Sequence, residues 1–155
     1  MSKSLNRVRA ALHAAGLEPE IRETALARTA ADAAAALGCS VDQIAKSIIF
    51  RGATSGTAHL FLTAGGNLVD GNKAAALAGE TLGKADANLI RAQTGFAIGG
   101  VAPVGHLSPI RAFMDPRLAD FEVVWAAAGT PHHVFPISPA DLERISSAQY
   151  ADFRK

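Results

Sequence analysis

Apolar residues recur at helical spacing at the start of the chain, at Leu5, Val8, Leu12 and Ala15. That pattern predicts an amphipathic helix capped by Ser4 and closed at Gly16. After Pro19, residues 20–24 read as a short edge strand. An alanine-rich helix over 30–37 starts at Thr29 and stops at Gly38, and its small side chains allow close approach to a sheet. Ser40 and Gln43 have capping-box spacing and open a brief helical turn. The turn feeds a buried-strand pattern over 46–50.

The next apolar run, 59–63, pairs back across a turn over 52–56. Ala64-Gly65-Gly66-Asn67 turns again into Leu68-Val69-Asp70. A short helix over 73–78 ends at Gly79, and Asp86 caps another over 87–93 that ends at Gly95. Phe96-Ala97-Ile98 then reads as a strand delivering the loop Gly99-Gly100-Val101-Ala102-Pro103-Val104-Gly105-His106. Further strands are predicted over 110–114, 122–128 and 133–137. Asp115-Pro116 and Ser138-Pro139 each supply a cap followed by proline at the first helical position, for turns reaching 120 and 145. The tail beyond Ser147 carries no clear pattern. Hairpins and helical connections are mixed without strict alternation. The expected class is α+β: one domain over 1–155, with a mixed, curved and partly barrel-like sheet surrounded by helices.

Composition narrows the function. Of 155 residues, 49% are apolar and 19% charged, which indicates a folded chain with a proper core. No run approaches the ~18 uncharged apolar residues of a membrane span, and the N-terminal residues lack the apolar region of a signal peptide. The single cysteine, Cys39, permits no internal disulfide, so a reducing cytosol is the expected compartment. A formal charge of +1 argues against bulk phosphate attraction. A nucleic-acid partner is therefore expected to be held at one end by a few contacts.

Candidate chemistry concentrates at two places. Lys46 sits where a turn enters an apolar strand, between Ile44 and Ile48. A lysine there is either a snorkelling side chain or a fixed cation for a phosphate or carbonyl oxygen. The Gly99–Gly105 loop combines permissive glycines with a stiffening Pro103. It is either a tight connection or a pocket that grips a small group by main-chain contacts. Cys39 has no local base, and His13 and His59 read as structural. His132-His133 heads a strand, where neighbours point to opposite faces, so one of the two can line a pocket. No HxH, HxxxH or CxxC spacing is present, and neither a metal nor another cofactor is expected. Dinucleotide and P-loop glycine patterns are also missing.

Several stretches, taken in order, resemble the YbaK/prolyl-tRNA-synthetase-associated editing domains. They are Asp42-Gln43-Ile44-Ala45-Lys46-Ser47-Ile48-Ile49-Phe50, the G-x-x-x-P loop from Gly99 to Pro103, Leu68-Val69-Asp70 with Lys73, and Glu122 through Trp125 to Gly129. The resemblance runs over about 29–145, and Gly71-Asn72 departs from the usual apolar-basic pair. It implies hydrolysis of mischarged aminoacyl-tRNA, chiefly tRNA for proline, in the manner of the free-standing members that act in trans. It further implies catalytic roles for Lys46 and Gly100, and substrate-binding roles for Gly99, Val101, Pro103, His106, Gly129 and His133. The implied partners are the acceptor end of an aminoacyl-tRNA and prolyl-tRNA synthetase. Such an ester is already activated, so positioning matters more than a strong nucleophile. Main-chain N–H groups of Gly100 and Val101 would face the developing oxyanion, each worth roughly 3 kcal/mol. The rival reading is a module of the same fold that binds tRNA or a synthetase without hydrolysis. An ordinary small-molecule hydrolase would need a nucleophile or metal that the sequence does not supply. Ile48, Val101 and His133 are candidates for setting pocket size.

Overall fold

The computed structural model describes residues 2–25 and 29–155. Among these described residues, five α-helices surround an eight-stranded mixed sheet. In chain order these are α1 (Lys3–Ala14), β1 (Arg22–Glu23), α2 (Ala30–Leu37), β2 (Ile44–Gly52), β3 (Ala58–Ala64), α3 (Gly71–Ala78) and β4 (Leu82–Lys84). They are followed by α4 (Ala87–Thr94), β5 (Arg111–Met114), β6 (Val124–Ala127), β7 (His133–Ile137), α5 (Pro139–Ser146) and β8 (Gln149–Tyr150). Strand order is β1-β7-β6-β2-β3-β5-β8, with β4 pairing β2 as a branch. The β2–β6, β3–β5 and β5–β8 pairs are parallel, and the others antiparallel. No helix is long and apolar enough to cross a membrane among the described residues.

Strand β3 is the middle of the molecule. All seven of its residues are buried, because layers cover both of its faces. On one side Leu60 and Leu62 join the larger core with Leu5, Val8 and Leu12 of α1. On the other, Phe61 stacks on Phe113 at 5.2 Å and meets Phe153 edge-on at 5.0 Å. The chain after Ser147, which had no clear pattern, thus supplies both β8 and a core aromatic.

Most expected elements appear within a residue or two. The N-terminal cap differs: Ser2 is extended, and its Oγ accepts from the Leu5 N–H at 3.3 Å, so the helix begins before Ser4. The stretch Phe96-Ala97-Ile98 is a loop, not a strand. Gly95 caps α4 in the left-handed region (φ +81), and the Phe96 N–H then donates to Thr94 Oγ1 at 3.1 Å. This turn sends Phe96 into the core beneath Arg7, whose guanidinium lies 4.4 Å from the ring centroid. The glycine loop is therefore delivered by a helix. Strands β4 and β8 have three and two residues, too few for an alternating pattern, and exist because β2 and β5 offer free edges.

Candidate active site

Strand β2 carries Lys46 to a cavity of about 740 Å³. Its lining includes α2 with Val41 and Gly65, and Ile98, Gly99, Val101, Thr130, Pro131, His133 and Val134. Trp125 lies at the same cavity, with the Arg22 guanidinium 4.9 Å from its ring.

The Lys46 ammonium is half-buried and donates to the Asn67 carbonyl oxygen at 2.7 Å. Burial pulls its pKa below the ordinary lysine value, opposed by the charges of Asp115 and Asp42. Those carboxylates also build the turn that holds the lysine. Fully buried Asp115 accepts from the Ala64 N–H at 3.1 Å, the Asn67 side-chain amide at 2.9 Å and the Arg117 N–H at 2.9 Å. Asp42 accepts from the Gly66 N–H at 2.8 Å and from Arg117 Nε at 2.9 Å, and the Arg117 bond is the main reason its pKa is lowered. Asn67 thus joins a buried carboxylate to the lysine, its amide on one and its carbonyl on the other. Sequence reading assigned Gly65-Gly66-Asn67 to turn chemistry and gave Asn67, Asp115 and Asp42 no part in the site. The signal was present in the Asp115-Pro116 cap, but the Asn67 contact spans 48 positions and only the fold creates it.

The cavity brings together four of the eight predicted site residues: Lys46, Gly99, Val101 and His133. His133 is half-buried; His132 is exposed and does not line the cavity. Thr130 Oγ1 accepts from the His132 N–H at 3.1 Å and lies 2.6 Å from His133 Nδ1. With the Thr130 hydroxyl donating to Nδ1, the ring proton sits on Nε2, which is 3.7 Å from Glu23 Oε2.

The other four predicted residues serve the frame. The Gly100 N–H donates to the Ala97 carbonyl at 3.0 Å and is not available to a substrate oxygen; Gly100 does not line the cavity. Its lack of a side chain still matters, because a Cβ there would sit 2.8 Å from Thr130 Cα and C. This glycine lets the two loops of the site touch. Pro103 is buried behind the loop. His106 Nε2–H donates to the Ala102 carbonyl at 2.7 Å, and burial pushes its pKa down, so the ring is a neutral tie at the loop's end. Gly129 (φ +97) faces α1, where a Cβ would meet the Ser4 carbonyl at 2.8 Å. Of the two N–H groups expected to face an oxyanion, that of Gly100 is thus bonded within the loop, whereas Val101, like Gly99, lines the cavity with an N–H that donates to no described group.

Residues 24–145 match the aminoacyl-tRNA editing domain family, and the chain belongs to that family. It is 31% identical over 118 residues, covering 76% of this chain and 74% of the relative, to the uncharacterised protein YwhH of Bacillus subtilis (strain 168). Among solved structures it is similar to one described as a candidate trans-editing enzyme for prolyl tRNA synthetase. That likeness has 42% identity, a TM-score of 0.92, and covers 100% of this chain and 99% of that one. It is also similar to the hypothetical protein APE2540, at 29% identity and TM-score 0.87, over 96% and 99% of the two chains.

Proposed function

We propose that this protein is a trans-editing deacylase that hydrolyses the ester of a small, wrongly attached amino acid on tRNA, with tRNA for proline as the substrate RNA. One observation carries the reading: a single cavity joins a fixed ammonium, unbonded loop N–H groups and a small apolar wall. The similar structure described as a candidate trans-editing enzyme supports the choice of the proline system.

In this reading the acceptor end of the RNA lies along the Lys46 side of the cavity. The ammonium, steered by Asn67, holds the terminal phosphate or the ester oxygen. Water adds to the ester carbonyl, the carbonyl oxygen becomes negative, and the unbonded Gly99 and Val101 N–H groups are among the donors that receive it. The C–O bond to the ribose then breaks, and the ribose oxygen leaves with a proton. The neighbouring ribose hydroxyl orients the water, so the protein needs no Ser-His-Asp set. Ala85, Ile90 and Val101 limit the space for the amino-acid side chain, and larger residues are refused by size. Prolyl-tRNA synthetase is the natural partner, and the cytosol the natural place of work.

The test is deacylation of tRNA for proline charged with alanine, cysteine, serine, threonine or proline, by wild type and Lys46→Ala side by side. Loss of one small ester, with prolyl-tRNA spared and activity lowered by about a hundredfold or more in Lys46→Ala, supports the proposal. Binding of the charged tRNA with no turnover of any ester overturns it in favour of a non-catalytic module.

A further inference from the structure

Six consecutive residues of β2, Ile44 to Ile49, line the cavity, and four of them, Lys46, Ser47, Ile48 and Ile49, lie beyond the pairing with β6. Side chains of a strand alternate between faces, so four in a row can share one cavity only if it runs along the strand's edge. The pairing explains why that edge is open. On the side away from β3, β2 pairs with β6 at Ile44 and Ala45 and with β4 from Phe50 to Gly52. Among the described residues nothing pairs with the stretch between them on that side.

The direction of the main-chain groups follows from the register. Gly52 opposes Thr57 and its N–H donates to the Thr57 carbonyl at 2.9 Å, while the Ala53 N–H turns the other way, to Thr81 at 2.8 Å. In an antiparallel ladder such pairs alternate with pairs whose polar groups diverge. Ser47 opposes Leu62 and Ile49 opposes Leu60, both diverging pairs. The Leu62 carbonyl indeed accepts from Asp115 on the far side at 2.8 Å. The N–H and C=O of Ser47 and Ile49 therefore project from the open edge. In addition, Ser47 Oγ is buried and has no hydrogen-bond partner among the described residues. A buried hydroxyl left unbonded costs free energy that a ligand can recover.

We propose that this edge is the subsite for the α-amino group of the aminoacyl ester, with Ser47 as the residue that positions it; the assignment rests on the deacylase reading above. An α-amino ester carries donors on its nitrogen and an acceptor on its carbonyl across one carbon, as a strand residue does. The Ser47 carbonyl and Oγ accept from the ammonium, and the edge N–H groups donate to the ester carbonyl, in the manner of an added strand. Ile49, on the same face as Ser47, and Ile90 and Val101 then enclose the side chain. Lys46 lies on the opposite face, tied to Asn67, so the two ammonium groups do not compete for one place.

The experiment compares two non-hydrolysable probes, 3′-(L-alanylamino)-3′-deoxyadenosine and its 3′-propionylamino counterpart, which lacks only the amine. Alanine is small enough to enter any pocket made for a small residue. Wild type should bind the amine-bearing probe about a hundredfold more tightly. Ser47→Ala should reduce that preference about tenfold, and Ser47→Thr, which keeps the hydroxyl, should restore most of it. Equal binding of the two probes by wild type overturns the subsite. A preference unchanged in a folded Ser47→Ala overturns the part given to Ser47. The ester panel is run on the same preparation. If esters are cleaved while the probes bind equally, only the subsite fails; if no ester is cleaved and neither probe binds, the deacylase reading fails with it.

Discussion

Replacing Gly100 by alanine tests whether the site depends on two loops touching. The added Cβ would stand 2.8 Å from Thr130 Cα and C and 3.0 Å from Thr130 N, all main-chain atoms that cannot rotate aside. Restoring an ordinary contact of 3.4 Å requires the loops to separate by about 0.6 Å. Overpacking of this size costs roughly 1–3 kcal/mol of stability. The same movement carries Val101 away from Thr130 and His133, and misplacement near 1 Å costs about a hundredfold in rate. Single-turnover deacylation and thermal unfolding should therefore both decline, the rate by about ten- to a hundredfold. Gly71→Ala is the control: nothing lies within 4 Å of its Cβ position and its backbone is helical, so stability should rise slightly with no change in rate. A Gly100→Ala protein with wild-type melting temperature and rate would refute the reasoning.

Asn67→Ala removes one hydrogen bond to buried Asp115 and loosens the turn whose carbonyl holds Lys46. A loss of about 1.5–3 kcal/mol in urea unfolding is expected, with a higher KM, because the lysine keeps its charge but loses its position. Phe61→Ala empties the centre of the aromatic cluster and should cost about 3–5 kcal/mol by the same measurement. Glu80 accepts from the Ser55 N–H at 2.9 Å and from the Ser55 hydroxyl at 2.7 Å, and also bonds His59, which pushes its pKa down to about 2. Its folded value lies below the ordinary glutamate value of 4.5, so its stabilisation is complete above that pH and disappears as pH falls toward 2. Melting temperatures recorded from pH 6 to pH 2 should fall across that window in wild type and show a shallower fall in Glu80→Gln.

Local pattern alone determined a good part of this protein. The apolar spacing of Leu5, Val8 and Leu12, the caps at Thr29, Asp86, Asp115 and Ser138, and the glycines ending α2, α3 and α4 place most helices where they form, because each signal acts within one turn of chain. Lys46 and the Gly99–Pro103 loop were legible for the same reason: a charge in an apolar strand and paired glycines before a proline are anomalies of neighbouring residues. What those residues touch is decided only by contacts between distant segments. Gly100 and Gly129 look alike in sequence, yet one accommodates Thr130 and the other α1. The partners that hold Lys46 come from positions 67 and 115, and the open edge beside it exists because β6 and β4 each cover only one end of β2. Hydrogen-bond satisfaction and strand pairing are properties of the assembled sheet, and no local pattern encodes which edge will be left bare.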